Sequence, residues 1–184
     1  MKVDLIASQL LRLPLFRGLS LRQLHEIARN TQPLPCTPGA VIIEENGEAD
    51  AAILIVEGDA RRVSGPELKG RSEPVPVGSL LGEAAMLIET QYGSTVVAHG
   101  PVIAARLTRD RLHAMILKDP TIGERLTDNL ASRLRRMADE LRAVDALLGG
   151  GRELAADEEP EEEAMPARPA LAKPVPELQG PPAP

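Results

Sequence analysis

Apolar positions fall into three regimes along this chain. Residues 3–12 and 20–30 carry them at helical spacing. In the second segment Leu21, Leu24, Ile27 and Ala28 mark one face, and Ser20 stands where an N-cap belongs. From Leu34 to Leu107 the helical period gives way to short β-branched runs punctuated by Gly and Pro. Val41-Ile42-Ile43 runs toward Asn46-Gly47, a dipeptide that signals a hairpin turn. Ala52 to Val56 stops at Glu57-Gly58-Asp59, and Ala60 to Ser64, Val75-Pro76-Val77, Thr95 to Ala98 and Val102 to Leu107 follow. Short strands at this spacing predict an antiparallel barrel or jelly roll.

Helical spacing then returns. Residues 109–117 place Leu112, Met115 and Ile116 on one face, and Asp119-Pro120 breaks that helix. A longer helix is expected over 121–148. Its apolar positions Leu130, Leu134, Met137, Leu141, Val144 and Leu148 alternate spacings of four and three, flanked by charges such as Arg133, Arg135, Arg136, Asp139, Glu140 and Arg142. Such a seam suits either the chain's own barrel or a partner helix, and its regularity favours the partner. Gly149-Gly150-Gly151 ends the helix. The fold class expected is therefore α+β: an antiparallel jelly roll (a double-stranded β-helix), N-terminal helices before it and a long helix after it.

Composition divides the chain at that glycine run. Of its 184 residues, those from Gly151 onward hold eight acidic and three basic residues, a net of −5. They also hold eight of the seventeen prolines. Such a segment has too little apolar surface for a core, so 149–184 is expected to be a disordered tail behind a folded region at 1–148. The acidic run Asp157 to Glu163 reads as a solvated tail, or more weakly as a docking segment for a basic partner. Residues 1–150 carry nineteen acidic and eighteen basic residues, a net of −1. That balance argues against a nucleic-acid surface. Phe16 and Tyr92 are the only aromatic residues, so base stacking has little to work with and the core must be aliphatic. Cys36 is alone and forms no disulfide within the chain. Without a signal-peptide core or an apolar run long enough for a bilayer, a cytoplasmic protein with no membrane partner is expected.

The candidate chemistry lies in Gly78-Ser79-Leu80-Leu81-Gly82-Glu83-Ala84-Ala85-Met86-Leu87, continued by Gln91-Tyr92-Gly93-Ser94-Thr95. Gly82 permits a positive φ or close approach of backbone to ligand. Glu83 offers a pair of acceptors to a sugar hydroxyl. Small residues at Gly93 and Ser94, with Thr95, leave backbone N–H groups to cradle an anion. These residues resemble the phosphate-binding cassette of cyclic-nucleotide-binding domains, which runs Gly-Glu-x-Ala-Leu and then Pro-Arg-x-Ala-Thr. Gly82, Glu83, Ala85 and Thr95 fall on that pattern. Pro14-Leu15-Phe16-Arg17-Gly18-Leu19-Ser20 and the ordered landmarks Pro38-Gly39, Asn46-Gly47 and Gly58 extend the resemblance over roughly residues 10–145.

The resemblance implies a nucleotide pocket formed by Gly82, Glu83, Ala84, Tyr92, Gly93, Ser94 and Thr95. It departs at the Pro-Arg pair: the family's phosphate-pairing arginine is Tyr92 here, and the proline before it is Gln91. Tyrosine donates one neutral hydrogen bond and no charge, and burying a phosphodiester without a cation is costly. Arg106, Arg109 and Arg111 read as surface charges, although one of them would serve if it reached the pocket from another strand. Gly65 to Ser72 mimics a nucleotide phosphate loop, but Arg71 replaces its lysine and Pro74 and Pro76 forbid its helix. His25, His99 and His113 are dispersed, so no metal site is expected.

The expected function is a stand-alone regulatory or scaffold module with a degenerate pocket. It would form a homodimer through the long helix and act by contact with a protein partner. No cofactor, enzyme activity or nucleic-acid binding is expected, in part because nothing after the long helix suits a helix-turn-helix. The alternative is a sensor of cyclic AMP, cyclic GMP or a cyclic dinucleotide that uses another phosphate contact. A transcriptional regulator is a third and weaker reading. Truncation after Gly150 should leave the melting temperature within about a degree or two, because a tail without a core contributes few contacts. A scanning-calorimetry loss well beyond that would mean that the tail packs on the domain.

Overall fold

The computed structural model describes residues 3–63 and 72–149. Helix α1 (Val3–Arg12) leads through a 3-10 turn at Pro14–Phe16 into α2 (Leu21–Asn30). Eight strands follow: β1 (Gln32–Cys36), β2 (Val41–Ile43), β3 (Glu48–Ala49), β4 (Ala51–Val63), β5 (Ser72–Val75), β6 (Leu80–Leu81), β7 (Thr90–Gln91) and β8 (Thr95–Thr108). A 3-10 turn at Glu83–Met86 lies between β6 and β7, and α3 (Arg109–Ile116) and α4 (Pro120–Gly149) close the described chain. The main sheet runs β1-β8-β4-β5, with β2 also on β8 and β6 on β4, while β3 and β7 pair apart from it. Every pairing is antiparallel. Residues 65–71 of the phosphate-loop look-alike, and the tail beyond Gly149, lie outside the described residues.

The unbroken apolar run of β4 has a direct cause: the strand is buried on both faces. Ala52, Leu54 and Val56 face a core built with α1, α2, α3 and the start of α4, which includes Ile6, Phe16, Leu24, Ile27, Leu112, Ile122 and Leu126. Ala51, Ile53 and Ile55 alternate onto a second core with Val75, Leu81, Val96, Val102 and Ala104. β1 sits at the outer edge of the sheet, where its two prolines, Pro33 and Pro35, are tolerated because an edge strand can lack N–H donors on its free side.

The structure corrects three local expectations. Ala52–Val56 and Ala60–Ser64 are not separate strands: β4 passes straight through Glu57-Gly58-Asp59, with register shifts on either side of Gly58. Gly58 has φ +105, and a Cβ there would lie 2.2 Å from the Pro101 carbonyl oxygen. The glycine marks a bulge that lets two strands cross closely, not a strand end. Thr95–Ala98 and Val102–Leu107 likewise merge into β8. Asn46-Gly47 does not close a hairpin from Val41–Ile43, because β2 pairs with β8. Its polar groups go instead to Tyr92: Asn46 N–H donates to the Tyr92 carbonyl at 2.8 Å, and Tyr92 N–H donates to the Gly47 carbonyl at 3.0 Å.

The helical side is held by side chains that satisfy helix ends. Gln23 completes a capping box with Ser20. Its amide also donates to Asp119 at 2.8 Å and to Thr121 at 2.9 Å. Asp119 in turn accepts from the Thr121 backbone N–H at 3.2 Å, just ahead of Pro120 at the start of α4. The Thr121 and Gln23 hydrogen bonds hold the Asp119 carboxyl below its ordinary range. Asn129 ties α4 to the turn after α1, donating to the carbonyls of Leu15 at 2.9 Å and Arg17 at 2.8 Å.

The chain divides into two units, one ending at Leu141 and the next beginning at Arg142. In the first, Leu130 is buried in the helical core, which corrects its placement in an open seam. Leu134, Met137 and Leu141 are exposed, at 58%, 48% and 68%. In the second, Val144 and Leu147 are exposed, and the Leu148 side chain lies outside the described residues.

Gly58→Ala should cost at least about 2 kcal/mol, since it adds backbone strain to a clash with backbone atoms. Gly39→Ala has a positive φ but no atom within 4 Å of the new Cβ. It should cost only about 1 kcal/mol. Urea denaturation of the two variants checks the ordering.

Candidate functional site

The cassette begins at Gly82, whose φ of 63° and ψ of 39° place it in the left-handed region. The turn Glu83–Met86 starts there, with Ala85 N–H donating to the Gly82 carbonyl at 3.0 Å. Arg109 clamps this turn from the head of α3. Its Nε donates to the Ala85 carbonyl at 3.0 Å and its Nη2 to the Ala49 carbonyl at 2.7 Å. Of the other two arginines weighed from the sequence, Arg106 binds Gln32 and Asp50, and Arg111 donates to the Asn30 carbonyl. All three arginines are engaged in holding strands, turns and helix ends together. None of them lines the cavity beside the cassette.

Tyr92 is turned into the fold. Its ring lies over Gly82, where a Cβ would come within 2.5 Å of Cε1. Its hydroxyl donates to the Ala51 carbonyl at 2.9 Å, and its body packs against the second core. Burial, assisted by the nearby Asp50 charge, pushes the phenol above its ordinary pKa, against the opposing influence of Arg106 and the Ala51 hydrogen bond. The residue at the cassette's arginine position thus serves packing. Thr95 is also committed: it is buried and its Oγ1 accepts from Glu45 N–H at 3.0 Å. Ala84 packs against the helical core, and Gly93 is exposed. Ser94 accepts a hydrogen bond from Arg62 Nε at 3.2 Å.

A cavity of about 290 Å³ opens beside the cassette, walled by apolar residues including Leu15, Val75, Leu80 and Leu81. Three charged side chains line it: Arg62, Glu83 and Arg133. Glu83 Oε2 lies 2.6 Å from Arg133 Nη1, so the carboxylate expected at a sugar hydroxyl is paired with a cation from α4. Of the seven cassette residues expected from the sequence, Glu83 alone is in this lining. Met86 is fully buried in the helical core and leaves the cavity open.

Sequence reasoning missed Arg62 and saw Arg133 only as a charge flanking a seam. A signal existed for Arg133, which follows Leu130 on the helix that carries Ile122 and Leu126 into the core. For Arg62 there was none, because its approach to Ser94 requires β4 to continue past Gly58. No group of three metal-ligating side chains comes together among the described residues.

A six-stranded antiparallel sheet with a cassette turn, flanking helices and a long helix defines the β-roll class of domains. Residues 34–119 match the family model described as cyclic nucleotide-binding domain. These residues form a domain of that family. A protein of Rhodopseudomonas palustris named as a potassium channel is 30% identical over 129 residues, 70% of this chain and 31% of its own length. The acetyltransferase Pat of Mycolicibacterium smegmatis is 32% identical over 133 residues, 70% of this chain and 38% of its own. The chain therefore spans about a third of either relative. The solved N-terminal domain of a transcriptional regulator from Streptomyces coelicolor A3(2) superposes with a TM-score of 0.64 at 23% identity, over 72% of this chain and 94% of that one. This likeness bears out the jelly-roll fold. No helix among the described residues is long and apolar enough to cross a membrane.

Tyr92→Phe should lower stability by about 0.5–1.5 kcal/mol, because it removes the hydrogen bond to the carbonyl of the buried Ala51. Equilibrium unfolding measures it. An unchanged midpoint would mean that the hydroxyl makes no such bond in solution.

Proposed function

We propose that this chain is a regulatory module that works by protein–protein contact as a homodimer, and that its cassette has lost tight capture of cyclic nucleotides. The observation that carries the reading is the division of α4 within the first unit. Ile122, Leu126 and Leu130 are committed to the domain core, whereas Leu134, Met137 and Leu141 present large apolar side chains to solvent. An apolar stripe at heptad spacing beyond the docked part of a helix suits a second copy of the same helix. Val144 is exposed in the same sequence register, which Leu148 continues.

The cassette supports the same reading. Tyr92 brings no charge and is turned away, and Glu83 is already paired with Arg133. A cyclic nucleotide would have to win Glu83 from a cation without gaining the arginine that the family offers. Loss of such a charge-assisted contact weakens binding by roughly thirty- to several-thousand-fold. We expect cyclic AMP and cyclic GMP to bind no better than high micromolar. The near-neutral balance of residues 1–150 speaks against nucleic acid as the partner. No described feature points to catalysis, and we place the module where its family places such domains, in regulation. We take it to work in the cytoplasm. A sensor reading is favoured by one observation, the presence of Arg62 in the cavity.

Light scattering tests the dimer. The wild type should have the mass of two chains at micromolar concentration. Leu134→Glu combined with Leu141→Glu should have the mass of one, because each carboxylate would be buried against its symmetry mate. A monomeric wild type would overturn the reading.

A further inference from the structure

We propose that Arg62 is the anion partner of the cassette-side cavity, in place of the cation missing at Tyr92, and that the cavity takes a compact organic monoanion with an apolar body. This concerns the cavity alone and stands independently of the dimer.

The argument starts from position. Arg62 lies on β4 opposite Val96 of β8, in the stretch that follows the Gly58 bulge. From there Nε reaches Ser94 Oγ at 3.2 Å, at the turn where the cassette offers its small residues. A guanidinium carries five N–H donors in a planar fork. Nε is the atom that Ser94 engages, and the two terminal nitrogens of a guanidinium form the edge that binds an oxyanion in bidentate fashion.

Charge points the same way. Of the three charged side chains lining the cavity, Glu83 and Arg133 neutralise each other at 2.6 Å. Arg62 donates to the neutral Ser94 hydroxyl, and the three charges of the lining sum to one excess positive charge. Glu73 stands opposite Arg62 in the β4–β5 register; both side chains are exposed, so solvent and salt screen the attraction between them. An adjoining groove that shares Arg133 is lined by Arg17, Arg135 and Arg136, which deepens the positive potential at this end of the domain.

Size and walls narrow the ligand. About 290 Å³ lies at the lower end of the roughly 300–1,000 Å³ typical of ligand sites. The walls are aliphatic, and the two aromatic residues are held in the two cores. The site therefore selects an oxyanion head and a compact apolar body, with no ring on which a base would stack. A cyclic phosphodiester and a carboxylate share that head-group chemistry.

Calorimetry and thermal shift on the full chain, with cyclic AMP, cyclic GMP and sodium octanoate at millimolar excess, test the proposal. At least one probe should bind the wild type and raise its melting temperature. Response to the nucleotides assigns a phosphodiester, and response to octanoate assigns a carboxylate. Arg62→Gln should weaken that binding about tenfold or more. Arg62→Lys, which keeps the charge and loses the fork, should fall between. Arg111→Gln, remote from the cavity, should bind as the wild type does. Binding of none of the three probes by the wild type, or equal binding by Arg62→Gln, would overturn the proposal. Light scattering on Arg62→Gln separates this outcome from the dimer reading, because its mass should match the wild type in either case.

Discussion

The whole fold depends on β4 being buried on both faces. An exposed strand face would let the helices and the β-roll exist separately. Here Ala52, Leu54 and Val56 bind the helical layer while Ala51, Ile53 and Ile55 bind the roll, so neither core forms without the other. The same strand must also cross β8 closely enough for Gly58 to leave no room for a Cβ. That crossing carries β4 past the bulge and brings Arg62 to the cassette turn. The cavity is thus a consequence of the central packing and is not built by loops alone.

The cassette shows how a site can keep its backbone while its chemistry changes. Gly82 retains the left-handed conformation that opens the turn, and Arg109 clamps the turn from α3. Tyr92 uses the space over Gly82 that no larger residue would leave, and its hydroxyl satisfies the Ala51 carbonyl of β4. A residue that faces a ligand in the family pattern has become part of the wall behind it. Charge at the cavity now comes from β4 and α4, through Arg62 and Arg133. Because Arg133 holds Glu83, the first unit contains a direct link between the helix and the cassette.

Much of this was legible in the residues, for definable reasons. Helical period and the Ser20 cap located α2, and Asp119-Pro120 located the break before α4, because caps and prolines act locally. The family landmarks carried the fold. Errors arose where a local signal was answered by a distant partner. Gly58 and Asn46-Gly47 look like strand ends and hairpins, yet one is a bulge against Pro101 and the other pairs with Tyr92. Leu130 continues a heptad, yet tertiary packing claims it. Ser94 and Thr95 were legible as cassette residues, but their partners Arg62 and Glu45 lie more than thirty positions away and across strands. Residue type does not reveal such pairings.

The claim on which the account of the cassette rests is that Tyr92 belongs to the core and not to a ligand pocket. The chain has one tyrosine and no tryptophan, so ultraviolet absorbance during a pH titration reports this phenol alone. The account predicts ionisation above the ordinary tyrosine range, because burial disfavours the phenolate, with no change in the curve when excess cyclic AMP is present. A phenol that titrates at the ordinary value, or one whose titration moves with the nucleotide, would place Tyr92 in the pocket and contradict the account.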